Sequence, residues 1–549
     1  MIRIAGGRIY DPANGIDGER RDLCVEDGRV VAEVGAEARR IDARGMVVMP
    51  GGVDIHAHVA GPAVNAARRL LPAEHRADPV EGTSVSRAGS GGTVPSTFAT
   101  GQRYALLGYT TVVDAAAPPL AARHVLSELR DTPPLDAAFL ILMGDNRVLF
   151  ELIRAGSGPG DARVRDALAW WLEASGGFGI KLVNPGGVEM WKRGNRDAGS
   201  LDDEVAGLGV TPRGILEHVA TAVDELGLPH PVHVHCHDLG VAGNYRTTEA
   251  TMRALDGRRA HLAHVQFHAY GGEPGRRPRS RAPELVDHLD SHPELSADVG
   301  QVMFGPATTM TADAPVSAML AELTGGRWVN ADLEVETGCG IVPFAYRERD
   351  YVHALQWGIG LELFLLARDP WRMVLSTDHP NGGSFLSYPK LIRLLMDREF
   401  RNEQIGRANH SAIRRTVLLD DLDREYTLSE IAIVTRAGPA RLLGLADKGH
   451  LGVGADADVT VYDDLDDREE MFSRPRWVIK GGRVVVEDGE LRETPPGGLL
   501  RSAADHDPEI EDVLAPLFED AYSVAFRNYP VREPWLLEPA RRVSGAAGR

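Results

Sequence analysis

The chain has 549 residues, of which 43% are hydrophobic, and its 60 Lys and Arg residues against 79 Asp and Glu residues give a net charge of −19. This composition is typical of folded domains and excludes a largely disordered chain. The acidic excess disfavours phosphate-rich surfaces, so we expect neither nucleic acid nor a membrane as a partner. Cys24, Cys236 and Cys339 are too few and too widely spaced for a disulfide framework. No apolar stretch approaches the ~20 residues of a membrane span, and together these features predict a cytoplasmic protein.

Short alternating strands are predicted at both ends of the chain. Strand patterns occur at 2–4, 8–10, 22–25 and 29–32, and similar patterns return at 458–462 and 477–486. Each end also carries a Gly-Gly-Arg sequence, at 6–8 and 481–483, which predicts a turn between two strands. We therefore predict one β-sandwich domain built from residues 1–48 and 448–487, with 488–549 as a C-terminal extension.

Between these ends, residues 49–447 alternate short apolar, β-branched runs with helical patterns. Buried parallel strands have such runs, and eight of them separated by helices predict an α/β fold of the (β/α)8 TIM-like barrel type. The runs are at 53–55, 110–114, 138–142, 179–183, 232–235, 262–265, 296–299 and 373–377. Long insertions at 61–103, 186–212 and 270–282 are predicted to form the walls of an active site.

A His-x-His sequence, His56 and His58, follows the first predicted strand. Residues i and i+2 of a strand project to the same face, so both imidazoles can face one metal ion at the mouth of the barrel. Alone, the pattern fits ordinary loop histidines equally well.

Lys181 lies within the apolar fourth run. A buried, isolated ammonium costs several kcal/mol, so this lysine needs either a carboxylate partner or the loss of its charge. Reaction of the amine with CO₂ offers the second solution, because the resulting carbamate has two anionic oxygens suited to bridging two metal ions. Histidines at neighbouring strand ends would favour that interpretation.

Such histidines end the fifth and sixth predicted strands. We select His235 and His264 as metal ligands because they lie within those strands. His233 shares a face with His235 but lies deeper in the barrel. His237 and His268 fall beyond the strand ends, where they would surround the ligands or face a substrate.

Asp378 closes the eighth predicted strand. A carboxylate at this position can ligate a metal ion, accept a proton from water and pass it to a leaving amine, which makes Asp378 the predicted catalytic residue. A lone Asp in such a turn is otherwise a common helix N-cap.

The order His-x-His, Lys, His, His, Asp along these strands resembles the amidohydrolase superfamily, whose members join a (β/α)8 barrel to a β-sandwich made from both chain ends. The resemblance covers nearly the whole chain. It implies that His56, His58 and Asp378 hold one zinc ion, that His235 and His264 hold a second, and that N6-carboxylated Lys181 bridges them.

Longer segments at 181–187, 235–240, 264–272, 336–340 and 376–383 are similar to the hydrolase subunit of formylmethanofuran dehydrogenase and of its bacterial counterpart, the formyltransferase/hydrolase complex of methylotrophs. This resemblance implies hydrolysis of an N-formyl amine, formylmethanofuran or an analogue, to formate and free amine. It also implies other subunits as partners, including a formyltransferase subunit, together with a methanofuran-like carrier that has a polyglutamate-like tail. Two groups of arginines are candidates for binding that tail, and a solvated charged loop is the alternative for each: Arg68, Arg69 and Arg76, and Arg276, Arg277, Arg279 and Arg281.

Two other functions are compatible with the sequence. One is a free-standing cyclic amidohydrolase such as a dihydroorotase, hydantoinase or aminoacylase. The other is a scaffold subunit without chemistry, which the presence of all six ligand positions disfavours.

Overall fold

The computed structural model describes residues 1–194, 200–255, 257–273, 276–325, 340–419, 422–536 and 540–545, together with the backbone of 329–330. Within these ranges, no helix is long and apolar enough to cross a membrane.

Eight parallel strands form the barrel in the order predicted from the sequence. They are Gly52–Ala57, Tyr109–Ala117, Asp136–Leu142, Gly179–Val183, Val232–His235, Ala260–Leu262, Leu295–Asp298 and Met373–Val374, referred to below as barrel strands one to eight. An isolated parallel bridge joins Ala57 to His379, and the His58 amide donates to the His379 carbonyl at 2.7 Å. These two contacts bring the segment after strand eight against strand one, as closure of a barrel requires.

Helices follow the barrel strands and pack around them, as expected for alternating β and α segments. Those located between strands one and eight are Pro62–Leu70, Pro72–Ala77, Thr97–Leu106, Ala122–Arg130, Arg147–Ala155, Ala162–Ser175, Gly187–Lys192, Pro212–Glu225, Tyr245–Ala254, Ala282–Ser291, Ala314–Thr324 and Tyr351–Leu366. Those after strand eight are Tyr388–Met396, Arg398–Arg407, His410–Ile413, Leu428–Ala432, Gly438–Leu442, Arg468–Ser473 and Ile510–Ala521.

Strands from both chain ends form a separate nine-stranded sheet. Its members are Ile2–Asp11, Ile16–Glu26, Arg29–Val31, Arg39–Asp42, Met46–Pro50, Val459–Asp463, Trp477–Lys480, Arg483–Glu487 and Glu490–Leu491. The halves join where Met46–Pro50 pairs antiparallel with Val459–Asp463. Val48, Val459 and Ile479 lie in the apolar cluster of this sheet and are fully buried.

The two Gly-Gly-Arg sequences behave differently. Gly481 and Gly482 form the predicted turn between Trp477–Lys480 and Arg483–Glu487. The prediction of a turn at Gly6 is wrong, because strand Ile2–Asp11 continues through it with a register shift after Ile4. Gly6 has a φ of 71°, which a residue with a side chain adopts only at a cost, and its amide donates to Asp22 Oδ1 at 2.9 Å. The glycine pair therefore forms a β-bulge within one strand.

The C-terminal extension packs against the barrel. Its strand Leu499–Ser502 pairs parallel with barrel strand three at Ala137, and Ala540–Val543 pairs with Leu499–Ser502. Between them, Phe526 stacks on Trp170 of helix Ala162–Ser175 with ring centroids 4.8 Å apart. The extension thus completes the outer packing around strands three and four.

Candidate metal centre

The backbone turns sharply just beyond four of the barrel strands. Asn184, Asp238, His264 and Asp378 follow strands four, five, six and eight, and all have left-handed φ values, between 36° and 60°. Non-glycine residues adopt this conformation rarely, and it is concentrated at functional sites. These turns direct polar side chains into the carboxyl-terminal mouth of the barrel, where active sites of this fold are located.

His56, His58 and Asp378 meet at this mouth as predicted. Asp378 Oδ1 lies 3.2 Å from His56 Nε2 and 3.1 Å from His58 Nε2, and it accepts a hydrogen bond from Asn381 Nδ2 at 2.9 Å. All three of these contacts involve Oδ1. The histidine and aspartate side chains are nearly inaccessible to solvent, so the site is a polar pocket inside the protein.

His235 and His264 form a second group beside the first, with ring centroids 4.6 Å apart. The sequence prediction placed His264 within strand six, and this placement is wrong: the strand ends at Leu262, and His264 begins the 3₁₀ turn Val265–His268. The left-handed backbone at His264 turns its ring towards His235. The same turn brings in His268, 5.2 Å from His235 between ring centroids.

Lys181 projects from barrel strand four, which is next to the strand that ends at His235. It pairs in register with His233, and its side chain is 1% exposed. Its Nζ has no hydrogen-bond partner among the described residues. Burial lowers the pKa of Lys181 to about 8, although the charges of Asp298 and Asp378 oppose this shift. The uncharged amine, which is the form that reacts with CO₂, is therefore easier to reach than in an ordinary lysine.

The ionisable groups of the site are of three kinds: imidazoles with a lowered pKa, a carboxylate with a lowered pKa, and His56, whose pKa is raised. Burial lowers the pKa of both His235 and His264 well below the usual histidine value. Burial acts in the opposite sense on Asp378, but His264 and His56 outweigh it and hold the pKa of Asp378 well below its usual range. For His56, the charge of Asp298 overcomes burial and raises the pKa to about 9.

Asp298, at the end of barrel strand seven, was missed as a functional residue by the sequence prediction. Its Oδ2 contacts His56 Nδ1 at 2.9 Å and His261 Nε2 at 3.3 Å, while its Oδ1 accepts from the His264 amide at 3.1 Å and from the Ser376 hydroxyl. The signal was available, since this Asp ends a strand pattern as Asp378 does. It orients both groups of histidines at once.

The remaining histidines near the site have different surroundings. His233 lies below His56, as its deeper position in strand five predicted, with 3.1 Å between His233 Nε2 and His56 Nδ1. His237 Nε2 lies 3.0 Å from the Pro185 carbonyl. Asp313, a second residue missed from the sequence, lies 3.3 Å from His235 Nε2 and accepts from Asn184 at 3.3 Å.

The donor sets fit divalent cations. The ligand atoms of His56, His264 and Asp378 all lie within 4.8 Å of one another, and so do those of His235, His264 and His268. Both ring nitrogens of His268, Nδ1 of His264 and Nζ of Lys181 are buried without a hydrogen-bond partner among the described residues. Buried polar atoms are normally satisfied, and a nitrogen-rich set with one carboxylate suits zinc.

An apolar wall adjoins His58 at the entrance to the site. It comprises Ala60, Pro62, Val64, Ala116, Pro118, Leu142, Met310 and Ala312. The Asn381 side chain connects this wall to Asp378. Its oxygen accepts from the Met310 amide at 2.8 Å, and its nitrogen donates to Asp378.

The candidate arginines divide into two kinds. Arg68 is largely but not fully buried, and it donates to the carbonyls of Pro95 and Val59, so its guanidinium is already bound within the protein. Arg69 and Arg76 are exposed, and the role of this group in binding an anionic carrier stays a prediction. Arg277 is exposed and lies over the ring of Tyr351, whereas Arg281 is half-buried over the ring of Tyr245 and forms an ion pair with Glu284. Residues 336–339 of the fourth similar segment lie outside the described residues.

Comparison with known proteins identifies the family. Residues 39–486 match the model of the amidohydrolase family. The chain belongs to the amidohydrolase family. This amidohydrolase is 41% identical to protein FwdA of Methanocaldococcus jannaschii, over 97% of each chain. It is also 41% identical to FhcA of the formyltransferase/hydrolase complex Fhc of Methylorubrum extorquens, over 97% of this chain and 96% of that protein.

Solved structures agree with this assignment. A crystal structure of the formyltransferase/hydrolase complex FhcABCD from Methylorubrum extorquens, in complex with methylofuran, contains a chain that superposes on this amidohydrolase with a TM-score of 0.91, 39% identity and 99% coverage of both chains. The zinc complex of N-acyl-D-glutamate deacylase from Bordetella bronchiseptica superposes with a TM-score of 0.51 and 18% identity over 91% of this chain and 99% of the deacylase, which shows the shared fold alone.

Proposed function

We propose that this amidohydrolase hydrolyses an N-formyl amine, formylmethanofuran or a close analogue, to formate and the free amine. The observation that carries the proposal is the amine of Lys181, which lacks a hydrogen-bond partner within the described part of the chain and is buried next to imidazoles and the carboxylate of Asp378. The likeness to FwdA and FhcA along nearly the whole chain supports the formamide substrate.

The proposed cofactors are two zinc ions. His56, His58 and Asp378 would hold one ion and His235 and His264 the other, with N6-carboxylated Lys181 between them. Zinc supplies Lewis-acid activation of water and of the formyl carbonyl in such a site. Conversion of the Lys181 amine to a carbamate removes a buried positive charge and provides the anionic oxygens that this pair of ions needs.

Asp378 is the proposed proton carrier. Its low pKa keeps it ionised at neutral pH, so it can accept the proton of the attacking water and then donate it to the departing nitrogen. The Asn381 amide, His56 and His58 all contact Oδ1 among the described residues, which leaves Oδ2 to exchange the proton. Formate and amine leave together once that nitrogen is protonated.

The apolar wall beside His58 is the proposed binding surface for the uncharged part of the substrate next to the formyl group. The structure with methylofuran supports a methanofuran-like carrier, and exposed Arg277 beside Tyr351 is the proposed partner of its anionic tail. We further propose that the chain works with the other subunits of a formyltransferase/hydrolase complex, including a formyltransferase subunit.

Metal content and hydrolysis test this function together. We expect about two zinc ions per chain, formate release from an N-formyl amine, and a sharp loss of both in Lys181→Ala. Lys390→Ala is the matched control, since Lys390 lies half-buried on helix Tyr388–Met396, forms no ion pair with the described residues and should keep both properties. Asp378→Asn should lower turnover by about 10²- to 10⁴-fold.

Alternative substrates separate the competing functions. Hydrolysis of dihydroorotate, a hydantoin or an N-acyl amino acid in preference to N-formyl amines would favour the free-standing cyclic amidohydrolase or aminoacylase. A folded parent chain without metal would contradict the mechanism and favour the scaffold function.

A further inference from the structure

Three buried histidines form a hydrogen-bonded series from the lower end of the barrel to the metal centre. His230 precedes barrel strand five, and its Nδ1 lies 2.8 Å from the carbonyl of Leu442, the last residue of helix Gly438–Leu442. His230 Nε2 lies 3.0 Å from His233 Nδ1. His233 Nε2 lies 3.1 Å from His56 Nδ1, and all three rings are at most 1% exposed.

The Leu442 carbonyl determines, from one end of the series, which nitrogen of each ring donates a hydrogen bond and which accepts one. A carbonyl only accepts, so His230 Nδ1 carries a hydrogen. Burial lowers the pKa of His230 to about 3, so its ring is neutral and Nε2 is an acceptor. His233 must then donate through Nδ1. A neutral His233 is left with a bare Nε2, which can only accept from His56 Nδ1.

Asp298, at the other end of the series, requires the same donor and acceptor nitrogens. Its ionised carboxylate only accepts, and His56 Nδ1 lies 2.9 Å from Oδ2, so this nitrogen carries the hydrogen. A hydrogen on His233 Nε2 would then face another donor at 3.1 Å. The two ends of the series therefore require the same tautomers independently, and both leave His56 Nε2 facing Asp378.

We propose that His230 and His233 are positioning residues that hold the hydrogen of His56 on Nδ1 and so present Nε2 to the metal ion. This inference rests on the proposed function, because it assigns His56 as a ligand. The series does not export protons, since it ends on a backbone carbonyl that cannot take up a proton. Its effect is to fix one tautomer and one ring orientation of a ligand, as residues behind metal ligands commonly do.

Two substitutions at His230 separate hydrogen bonding from packing. Glutamine can donate through its amide nitrogen to Leu442 and accept through its oxygen from His233, whereas leucine can do neither. We expect His230→Leu to weaken zinc binding by about 10- to 100-fold in a competition titration with a chelator, and His230→Gln to stay within a few-fold of the parent. Thermal unfolding of both metal-free variants checks that each is folded.

The outcomes distinguish this inference from the proposed function. A parent chain that binds no zinc would contradict the proposed metal site. A parent that binds zinc together with equal affinities for His230→Leu and His230→Gln would overturn the positioning role alone.

The tautomers can also be measured without any substitution. With ¹⁵N-labelled histidine in the zinc-loaded parent, we expect long-range ¹H–¹⁵N spectra to show His230 and His233 protonated at Nδ1 and not at Nε2. A hydrogen on Nε2 of His233 would contradict the inference even if both His230 variants failed to fold.

Discussion

Two clusters of buried ionisable side chains lie at opposite ends of the barrel, and each contains a set of ligand atoms close enough to hold a metal ion. At the mouth, Lys181, His264 and His268 have buried nitrogens without hydrogen-bond partners among the described residues. At the lower end, Asp136, Asp456 and Asp458 surround two lysines. The two clusters differ in pairing: the buried polar atoms of the lower cluster have partners within the protein, whereas several at the mouth have none among the described residues.

The lower cluster is defined by Asp136, Asp456, Asp458, Lys448 and Lys480, and its carboxylates are fully paired once the arginines around it are included. Arg29 and Arg541 lie 2.8 and 3.0 Å, respectively, from carboxylate oxygens of Asp456. Lys448 Nζ lies 2.6, 2.9 and 2.8 Å from carboxylate oxygens of the three aspartates, and Lys480 Nζ lies 2.7 Å from Asp136 and 3.2 Å from Asp458. Asp136 begins barrel strand three, whereas the other members lie in or beside the sheet of the chain ends. The cluster therefore joins the two parts of the fold, and its lysines already occupy the place of a cation. The comparison teaches that close carboxylates alone do not make a metal site.

The largest expected effect comes from removing the cation of the lower cluster. Lys448→Met removes the one cation that contacts all three carboxylates and leaves Asp136 and Asp458 to share Lys480. We expect the free energy of unfolding to fall by about 3–5 kcal/mol in urea denaturation. Lys390→Met is the control, since Lys390 is half-buried on helix Tyr388–Met396 and forms no ion pair with the residues that the structure describes. A loss below about 1 kcal/mol for Lys448→Met would contradict the role of the cluster in joining the sheet to the barrel.

Removal of zinc should lower the stability of the protein only through the metal centre at the mouth of the barrel. Zinc that binds the folded chain alone stabilises it by about 2.7 kcal/mol per site at a free concentration of 100 times Kd. We expect a chelator to lower the unfolding midpoint of the parent and of Lys448→Met equally, and to leave Lys181→Ala unchanged. A zinc response that disappears in Lys448→Met but persists in Lys181→Ala would reverse the assignment of the two clusters.

The smallest expected effect is a pH dependence of the lower cluster. Burial would raise the pKa of Asp136 and Asp458, but Lys448 and Lys480 outweigh it and lower both values. Their stabilisation is present above the unfolded pKa of about 3.9 and is lost as the pH falls through the folded value. In Lys448→Met the effect of burial exceeds that of the remaining lysine charge, so the folded protein binds protons at both carboxyls above pH 4. The loss of stability caused by the substitution therefore becomes smaller as the pH falls.

We therefore expect the difference in unfolding free energy between the parent and Lys448→Met to narrow by about 1–2 kcal/mol between pH 7 and pH 4. Denaturation curves at matched ionic strength provide the measurement. A difference that is constant over this range would show that the aspartates are already protonated or that their charges are compensated in another way.

Much of the architecture was accessible from the sequence because apolar periodicity reflects burial directly. All eight apolar runs between the chain ends correspond to or overlap barrel strands. A β-sandwich domain from both chain ends was predicted, and the structure pairs strands of both ends in one nine-stranded sheet. The turn at Gly6 was predicted wrongly because a glycine pair allows a bulge as readily as a turn. The packing of the C-terminal extension depends on contacts with Trp170 and Ala137, which are distant along the chain.

The sequence by itself determined which candidate ligand side chains are present and at which strand ends, since His-x-His, a lysine in an apolar run and an Asp after a strand are local patterns. Only the tertiary structure decided the direction of each side chain. It brought Asp298 under His56, turned His264 out of its strand, buried Arg68 among carbonyls and aligned His230 with His233. The physical reason is that hydrogen-bond direction and desolvation depend on neighbours across the barrel, and these are separated along the chain by tens to hundreds of residues.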